Sequence, residues 1–298
     1  LALFGYEAEE LIGLSVERIY ARREDFDEQG ILRFTEDAHV VEASPYEMHY
    51  RDKNGRVFWG ETIGQTVRDP DGRLVGFIGV IRDVTERRRR NARRELFARM
   101  GLELHALAAP EMHLRIVARV ITEVFADACA ICWLEGPSFH QVAARHRDPE
   151  KEQVLRRLHE QNPFAFSTAD GRGRLMAEGK SELLPRYDPG ISTLGSNSSG
   201  QIALLGLLGV RSTLTVALSL GGRTVGAIAL LMTENDEAFD AEDLAMLEDL
   251  GRRLTQTFEQ ARLLDEVRRE RQRFVGVQET SPDGFVLLRP MRDDRGRL

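Results

Sequence analysis

The sequence predicts an α+β fold, with antiparallel sheets flanked by helices and joined by long connector helices. Three observations lead to this class. Apolar and polar residues alternate over 46–50 and a turn at Asn54-Gly55 follows, which is typical of a half-buried strand entering a hairpin. Apolar residues recur at helical spacing over 114–124. Two further apolar strands are joined by Gly221-Gly222, a second hairpin turn.

Composition narrows the class of protein. The 298 residues are 42% hydrophobic and 30% charged, as in ordinary globular domains. The net charge of −7 gives no reason to expect nucleic acid or an anionic membrane as a partner. Apolar runs such as 225–232 have the length of a strand, well short of the roughly 18 residues that span a bilayer. Two cysteines favour a reducing cytoplasm over a disulfide-bonded secreted domain.

The first third of the chain reads as a short helix and three strands. A glycine, Gly13, ends the helix, and strands are predicted over 46–50, 57–67 and 74–82. A turn at 69–72 joins the last two strands. The third strand is almost continuously apolar, so we expect it to be central in its sheet.

A helix is predicted to begin directly after the third strand. Asp83 and Glu86 have the spacing of a capping box, in which two side chains bond the free amides of a helix start. The connector helix, over 87–107, begins with an arginine-rich run. Without interleaved aromatic residues, Arg87 to Arg94 are expected to form a solvated face and not a nucleic-acid site.

The remaining chain is predicted to alternate helices and strands and to end in a long helix. A helix covers 114–124, a strand 128–134, and the two hairpin strands 211–220 and 224–232. The long helix starts at Ala241 and, if unbroken to Phe274, is about 50 Å long. Its apolar residues approach a heptad seam at Leu247, Leu250, Leu254, Ala261 and Leu264. We therefore expect it to project and to form a parallel homodimer through residues 241–274.

The segment up to residue 87 resembles a PAS domain (S-box/PAC type). The resemblance rests on 50–61 and 68–87, which end in Asp83-Val84-Thr85-Glu86, and on the opening Leu-Phe-Gly-Tyr with Glu-Glu-Leu-Ile-Gly. It implies a PAS domain over 1–86 that lacks its first strands, followed by the connector helix 87–107. Because the chain starts inside this domain, we expect a fragment of a longer protein.

The next segment resembles the GAF domains of bacterial sensor kinases. The resemblance rests on four segments: 208–212, 222–230, 239–244 and 260–263. It implies a GAF domain over 108–264 and a linker helix over 265–279. The tail over 280–298 resembles the start of a second PAS domain.

No catalytic motif is present, so whether the fragment is an enzyme stays uncertain. Metalloprotease, nucleophile-elbow, Walker A and kinase ATP-site patterns are all absent from the sequence. His159-Glu160 is the only dipeptide that resembles a phosphoacceptor, and it lies inside the GAF segment. Cys129 and Cys132 have the spacing of a thiol pair, but residues i and i+3 of a strand face opposite ways. They are expected to be core thiols, and no metal site is expected.

The sequence lacks most of the motifs with which these families bind their known cofactors. A Cys-His dipeptide for a bilin and an Asn-Cys-Arg-Phe run for a flavin photosensor are absent. His39 and His49, the only candidate haem ligands before residue 87, are expected to be exposed surface residues. Phe239 and Asp243 match part of the cyclic-nucleotide GAF motif, although Leu244 replaces its glutamate. Cofactor and ligand are therefore left unknown.

The two resemblances imply a sensory and signal-relay region, PAS-GAF-PAS, of a bacterial signal-transduction protein. The expected parent is a two-component sensor histidine kinase with its catalytic domains and phosphorelay outside this fragment, cytoplasmic or membrane-anchored elsewhere. Asp83, Thr85 and Glu86 form the candidate relay junction between sheet and connector helix, or merely cap a helix. A diguanylate cyclase, a phosphatase or a ligand-free docking scaffold are the alternatives.

Overall fold

The computed structural model describes residues 2–33, 45–103, 110–135, 138–161, 178–188, 199–234 and 237–280. The fold is α+β, as predicted. Its first unit comprises a helix α1, a short 3-10 helix, a helix α2 and three strands. In chain order these are Ala8–Leu11 (α1), Val16–Ile19 (3-10), Arg23–Arg33 (α2), Tyr46–Arg51 (β1), Val57–Arg68 (β2) and Leu74–Asp83 (β3).

The first sheet has the antiparallel order β1-β2-β3. The carboxylate of Asp52 accepts hydrogen bonds from the amides of Asn54 and Arg56 and so closes the predicted hairpin. The alternation over 46–50 is confirmed, because Met48 and Tyr50 are buried. The Tyr50 ring lies so close to Gly60 that any Cβ there would come within 2.3 Å of it. Only glycine therefore fits at residue 60.

The prediction that the third strand is central is wrong for the part of the chain that the structure describes. There β3 pairs with β2 alone and lies at the edge of its sheet. Its Val75, Ile78 and Val80 are 62%, 59% and 67% exposed. An apolar run shows that a strand could be buried on both faces, but its position in the sheet depends on which strands lie beside it.

The second unit is a five-stranded antiparallel sheet with helices on both faces. Its strand order is β5-β4-β8-β7-β6. The elements are Thr85–Glu103 (α3), Pro110–Val124 (α4), Ala128–Glu135 (β4), Ser138–His146 (β5), Pro149–Gln161 (α5), Glu182–Leu184 (β6), Ser199–Leu208 (α6), Ser212–Leu220 (β7), Arg223–Met232 (β8) and Ala241–Thr280 (α7).

The long helix α7 has two different halves. Leu247, Leu250 and Leu254, three of the five residues of the predicted seam, are buried in the main core beside β7 and α4. They are therefore covered by the chain's own sheet and are not free to face a second copy. Farther along, the exposed apolar residues among the described side chains of the helix are Leu263, Leu264 and Val267. The 40 residues of α7 correspond to a rod of about 60 Å.

Within the described residues, no helix is long and apolar enough to cross a membrane.

Candidate functional site

The predicted relay residues lie where β3 ends and α3 begins. The Asp83 carboxylate accepts a hydrogen bond from the amide of Thr85 (2.9 Å) and forms an ion pair with Arg56 (2.5 Å). The Thr85 hydroxyl accepts a hydrogen bond from the amide of Trp59 (3.0 Å), and the amide of Val84 donates to the Trp59 carbonyl (2.9 Å). Asp83 and Thr85 thus fix the start of α3 to the middle strand of the first sheet.

Glu86, the third predicted relay residue, lies apart from this junction. Its side chain is exposed and forms no hydrogen bond or ion pair within the described residues. Asp83 accepts from the amide of Thr85 and not from that of Glu86, so the predicted capping box is not formed among the described residues.

The Trp59 side chain connects the first sheet to the second unit. Its indole Nε1 donates a hydrogen bond to the carboxylate of Glu237, which lies just before α7 (2.5 Å). The ring of His49 packs against the indole, with centroids 3.8 Å apart, and its Nε2 lies 4.0 Å from the same carboxylate. The prediction that His49 is an exposed surface residue is wrong, since its side chain is only 12% exposed. Strand alternation places a side chain on a face but does not show what covers that face.

Two arginines at the start of α3 bind the outer face of the first sheet. Arg87 bridges the carboxylates of Glu47 (2.9 Å) and Glu61 (2.7 Å). Arg88 pairs with Glu47, and its guanidinium lies 3.9 Å from the centroid of the Trp59 ring. This is close enough for a cation–π interaction.

The next two arginines on this side of α3 bind the start of α7. Arg89 donates to the Ala238 carbonyl (2.8 Å) and lies 3.4 Å from the carboxylate of Asp240. Arg93 donates through Nε to Asp243 (2.7 Å) and through Nη2 to both oxygens of Asp240 (2.8 and 2.7 Å), and it also pairs with Glu242. We call Arg93 and its three carboxylates the Arg93 clamp.

The clamp holds a helix start that is also capped by its own residues. Asp240 accepts a hydrogen bond from the Asp243 amide, and Asp243 accepts one from the Asp240 amide, both at 2.9 Å. This is the reciprocal geometry of a capping box. Carboxylates at the start of a helix are also stabilised by the positive end of the helix dipole. The positions of α3 and α7 are thereby coupled at one point.

The pKa values of three carboxylates in this region are shifted in different directions. Burial opposes ionisation of Glu237, but the nearby His49 ring, the hydrogen bond from Trp59 and the charge of Arg89 outweigh it and hold its pKa below the ordinary value. Burial likewise opposes ionisation of Asp240, and the Asp243 amide with Arg93 lowers its pKa. For Asp243 burial prevails, and its pKa is raised despite Arg93. Asp243 is also the most buried carboxylate of the clamp, with a side chain that is only 4% exposed.

The expectation that Arg87 to Arg94 form a solvated face is wrong for Arg89 and Arg93, whose side chains are 23% and 10% exposed. Arg87, Arg88, Arg89 and Arg93 fasten α3 to both units. Local sequence could not reveal this, because the partners of Arg93 lie about 150 residues later. The available signal was the repeat of Arg89 and Arg93 at i and i+4, which places two cations on one helix face.

A cleft of about 610 Å³ lies between the two units at this region. Its lining includes Trp59, Arg88, Glu237, Asp127 and Arg147. Asp127 is buried and accepts hydrogen bonds from the amides of Thr233 and Glu234 while it pairs with Arg147. We refer to the whole region, from Trp59 through α3 to the start of α7, as the joint.

The other candidate residues are part of the core or of the Arg93 clamp, or they lie outside the described residues. Cys129 and Cys132 are buried, and burial raises the pKa of the Cys129 thiol, as expected of core thiols. Phe239 is part of the main core, and Asp243 belongs to the Arg93 clamp. His39 and the tail over 281–298 lie outside the described residues, as does the side chain of His159. Among the described residues, no group of three metal-ligating side chains occurs.

One face of the second sheet carries threonine and alanine side chains in place of the large apolar residues of the core. Thr213 and Thr215 on β7 are buried, and their hydroxyls have no hydrogen-bond partner within the described residues. Cross-strand pairing puts a group of partly exposed alanines on the same face. These are Ala130, Ala217, Ala227 and Ala229. Small-molecule sites typically combine apolar side chains with a few polar groups, and this face has that composition.

Several solved structures share a resemblance with the second unit. A GAF domain of a phosphoenolpyruvate-protein phosphotransferase from Coxiella burnetii is 16% identical, over 59% of this chain and 98% of that one, with a TM-score of 0.46. A free methionine-R-sulfoxide reductase from Neisseria meningitidis is 17% identical, over 58% and 91%, with a TM-score of 0.43. A GAF domain/HD domain protein from Geobacter sulfurreducens is 18% identical, over 54% and 98%, with a TM-score of 0.43. No curated protein sequence matches the chain.

Two family matches cover most of the described chain. The PAS domain family matches residues 1–86, which include the first sheet and the start of α3. The GAF domain family matches residues 109–258, which include the second sheet and the core half of α7. The chain therefore belongs to the GAF-domain family and carries a PAS domain ahead of its GAF domain.

Proposed function

We propose that this chain is the sensory and signal-relay region of a cytoplasmic bacterial two-component sensor histidine kinase, with the joint as its relay. The single observation that carries the proposal is the bonded path from Trp59 through Glu237 to the start of α7. PAS and GAF domains serve in signal transduction, and α7 continues well past the GAF core. A helix that is held by both sensors and then projects is suited to carry their state onward.

The relay works through two attachments of α3. Asp83 and Thr85 fix its start to β2, so a shift of the PAS sheet moves the helix. Arg89 and Arg93 fix its second turn to the start of α7, so the same shift moves α7 relative to the GAF sheet. Packed interfaces of this kind change between discrete arrangements and do not deform continuously. Glu86 contributes no contact to this path.

We also propose that the exposed half of α7 forms the parallel homodimer. Leu263, Leu264 and Val267 are more than half exposed there, at 54%, 58% and 62%. Two copies would cover these residues as a two-stranded coiled coil. The core half of α7 would stay within each protomer.

We further infer that the face with Thr213 and Thr215 senses a small uncharged molecule. The two buried hydroxyls would each gain a partner, which offsets the cost of burying them unpaired. This observation favours a ligand sensor over the alternative of a ligand-free docking scaffold. Thr213→Val and Thr215→Val should abolish the thermal stabilisation given by a matching ligand in a metabolite screen. A screen without any stabilising compound would favour the scaffold.

The relay is tested in the protein that carries this region. We expect ATP-dependent autophosphorylation on histidine, with Glu237→Gln reducing its response to the sensed signal. Lys53→Ala is the matched control, because it breaks an exposed ion pair with Glu10 away from the joint. Synthesis of a cyclic dinucleotide from GTP would instead assign the output to a diguanylate cyclase. An unchanged response in Glu237→Gln would contradict the relay whichever output is found.

A further inference from the structure

A second cleft, of about 510 Å³, runs along one edge of the GAF sheet. The strand order places β5 at that edge, so in the described part of the chain no strand pairs with its outer side. Helix α4 forms one wall and α5 the other, and residues 141–145 of β5 form the base. Met112 and Ile116 contribute apolar surface on the α4 side. The cleft therefore occupies the place that one more strand of the sheet would take.

The backbone of β5 turns hydrogen-bonding groups toward this cleft. The His146 amide donates to the Glu152 carboxylate on α5, away from β4 (3.3 Å). The adjacent Arg147 amide donates to the Asp127 carbonyl, toward β4 (2.9 Å). Because the direction alternates along an antiparallel strand, the N–H and C=O of Ala144 point away from β4 as well. Glu152 closes one end of the edge, and among the described residues no strand lies beside the stretch around Ala144.

The walls of the cleft carry an excess of positive charge. Four arginines line it, Arg115, Arg119, Arg145 and Arg156, against a single lining acid, Glu160. Arg145 and Arg156 share one carboxylate, that of Glu152. Arg119 forms ion pairs with Glu103 (3.3 Å) and Glu123 (3.5 Å). Arg115 forms no ion pair within the described residues. The side chains of the three paired arginines, Arg119, Arg145 and Arg156, remain 43–58% exposed.

We propose that this edge docks an extended acidic segment of a partner protein, which adds a strand to β5. The partner's backbone pairs with Ala144, and its Asp or Glu side chains meet arginines on both walls. Addition of a strand to an open sheet edge is an established mode of peptide recognition. Here the backbone supplies affinity and the arginines select acidic sequences. The proposal is independent of the relay function of the joint.

Peptide binding to the whole chain tests the proposal. A fluorescein-labelled peptide of alternating Glu and Val is titrated with the chain in about 50 mM salt, where screening is weak, and anisotropy is followed. We expect saturable binding, and at least about fivefold weaker binding of a Lys-Val peptide of equal length. A third peptide carries N-methyl groups on alternate residues, so that one edge of its backbone cannot donate. Its loss of binding is expected only if a strand is added.

Variants of the chain identify the site. Arg115→Glu with Arg156→Glu should weaken the Glu-Val peptide by at least about fivefold. Ala144→Pro removes the outward amide at a position where an edge strand tolerates proline, and it should weaken binding similarly. Arg223→Glu, on an exposed residue at the opposite hairpin, is the matched control for added negative charge. Circular dichroism checks that each variant remains folded.

The outcomes separate clearly. Equal binding of the N-methylated and parent peptides, or of the Lys-Val and Glu-Val peptides, would overturn the proposal. So would full binding to the Arg115→Glu, Arg156→Glu variant. The N-methylated peptide keeps the test decisive if Ala144→Pro does not fold, because it leaves the chain unchanged.

Discussion

At the scale of single residues, the Arg93 clamp has the largest expected effect on stability. Its Asp243 side chain is only 4% exposed, and Arg93 is its cationic partner. Arg93→Ala should lower the free energy of unfolding by about 3–5 kcal/mol, because it leaves a buried carboxylate without its counter-ion. Arg94→Ala is the control, since Arg94 is exposed beside it. Urea unfolding measures both, and equal losses in the two variants would show that the clamp does not stabilise the fold.

His146 makes a second residue-scale prediction, on pH. Burial lowers its pKa below the ordinary value of 6.5. Its Nδ1 accepts from the Asp148 amide and its Nε2 bonds Thr233, so the ring is held neutral. Below about pH 6.5 the unfolded chain takes up a proton that the folded chain refuses, so stability falls as pH falls.

We expect the urea midpoint to fall between pH 8 and about pH 5.5, and to fall less in His146→Gln. The nearby Glu234 does not produce the same change, because its hydrogen bond with Lys151 holds its pKa below the ordinary value. An identical decline in the variant would show that another group titrates.

At the scale of elements, α7 divides into a core half and an exposed half, and substitutions should separate them. Leu250 is 2% exposed in the core, so Leu250→Ala should cost about 2–5 kcal/mol of stability. Leu263→Glu with Leu264→Glu should leave stability nearly unchanged and convert a dimer into a monomer in light scattering. Gln260→Glu controls for added charge on the exposed half. A wild-type chain that is monomeric at micromolar concentration would contradict the proposed dimer.

At the scale of the whole molecule, the joint holds the PAS sheet against the GAF unit through Trp59. The chain has two tryptophans, so Trp133→Phe leaves Trp59 as the only one and as a reporter of the joint. In that background, Glu237→Ala should shift the emission to longer wavelength and increase quenching by acrylamide, because the indole loses its hydrogen-bond acceptor. Lys53→Ala should leave both unchanged. Emission that does not respond to Glu237→Ala would mean that the two units separate in solution.

The local elements were predictable because their signals are local. Asn54-Gly55 and Gly221-Gly222 mark hairpins that the structure contains, and the alternation over 46–50 gives the buried face of β1 correctly. The site was predictable only at Asp83 and Thr85, which follow a family motif. His49, Trp59 and Glu237 meet across the joint from distant parts of the chain, and no local pattern links them.

The sequence by itself determined the α+β class, the two families, six of the eight strands and four of the seven α-helices that the structure describes, because turn chemistry and periodicity act over a few residues. The helices α2, α5 and α6 and the strands β5 and β6 were not predicted. Only the tertiary structure decided that β3 lies at an edge, that Leu250 packs inside and not between two copies, and that Arg93 is buried. Each of these depends on which distant surface covers a residue. A side chain's environment is set by long-range packing, and the same charged or apolar residue suits a solvated face, a core or an ion-pair clamp until that packing is known.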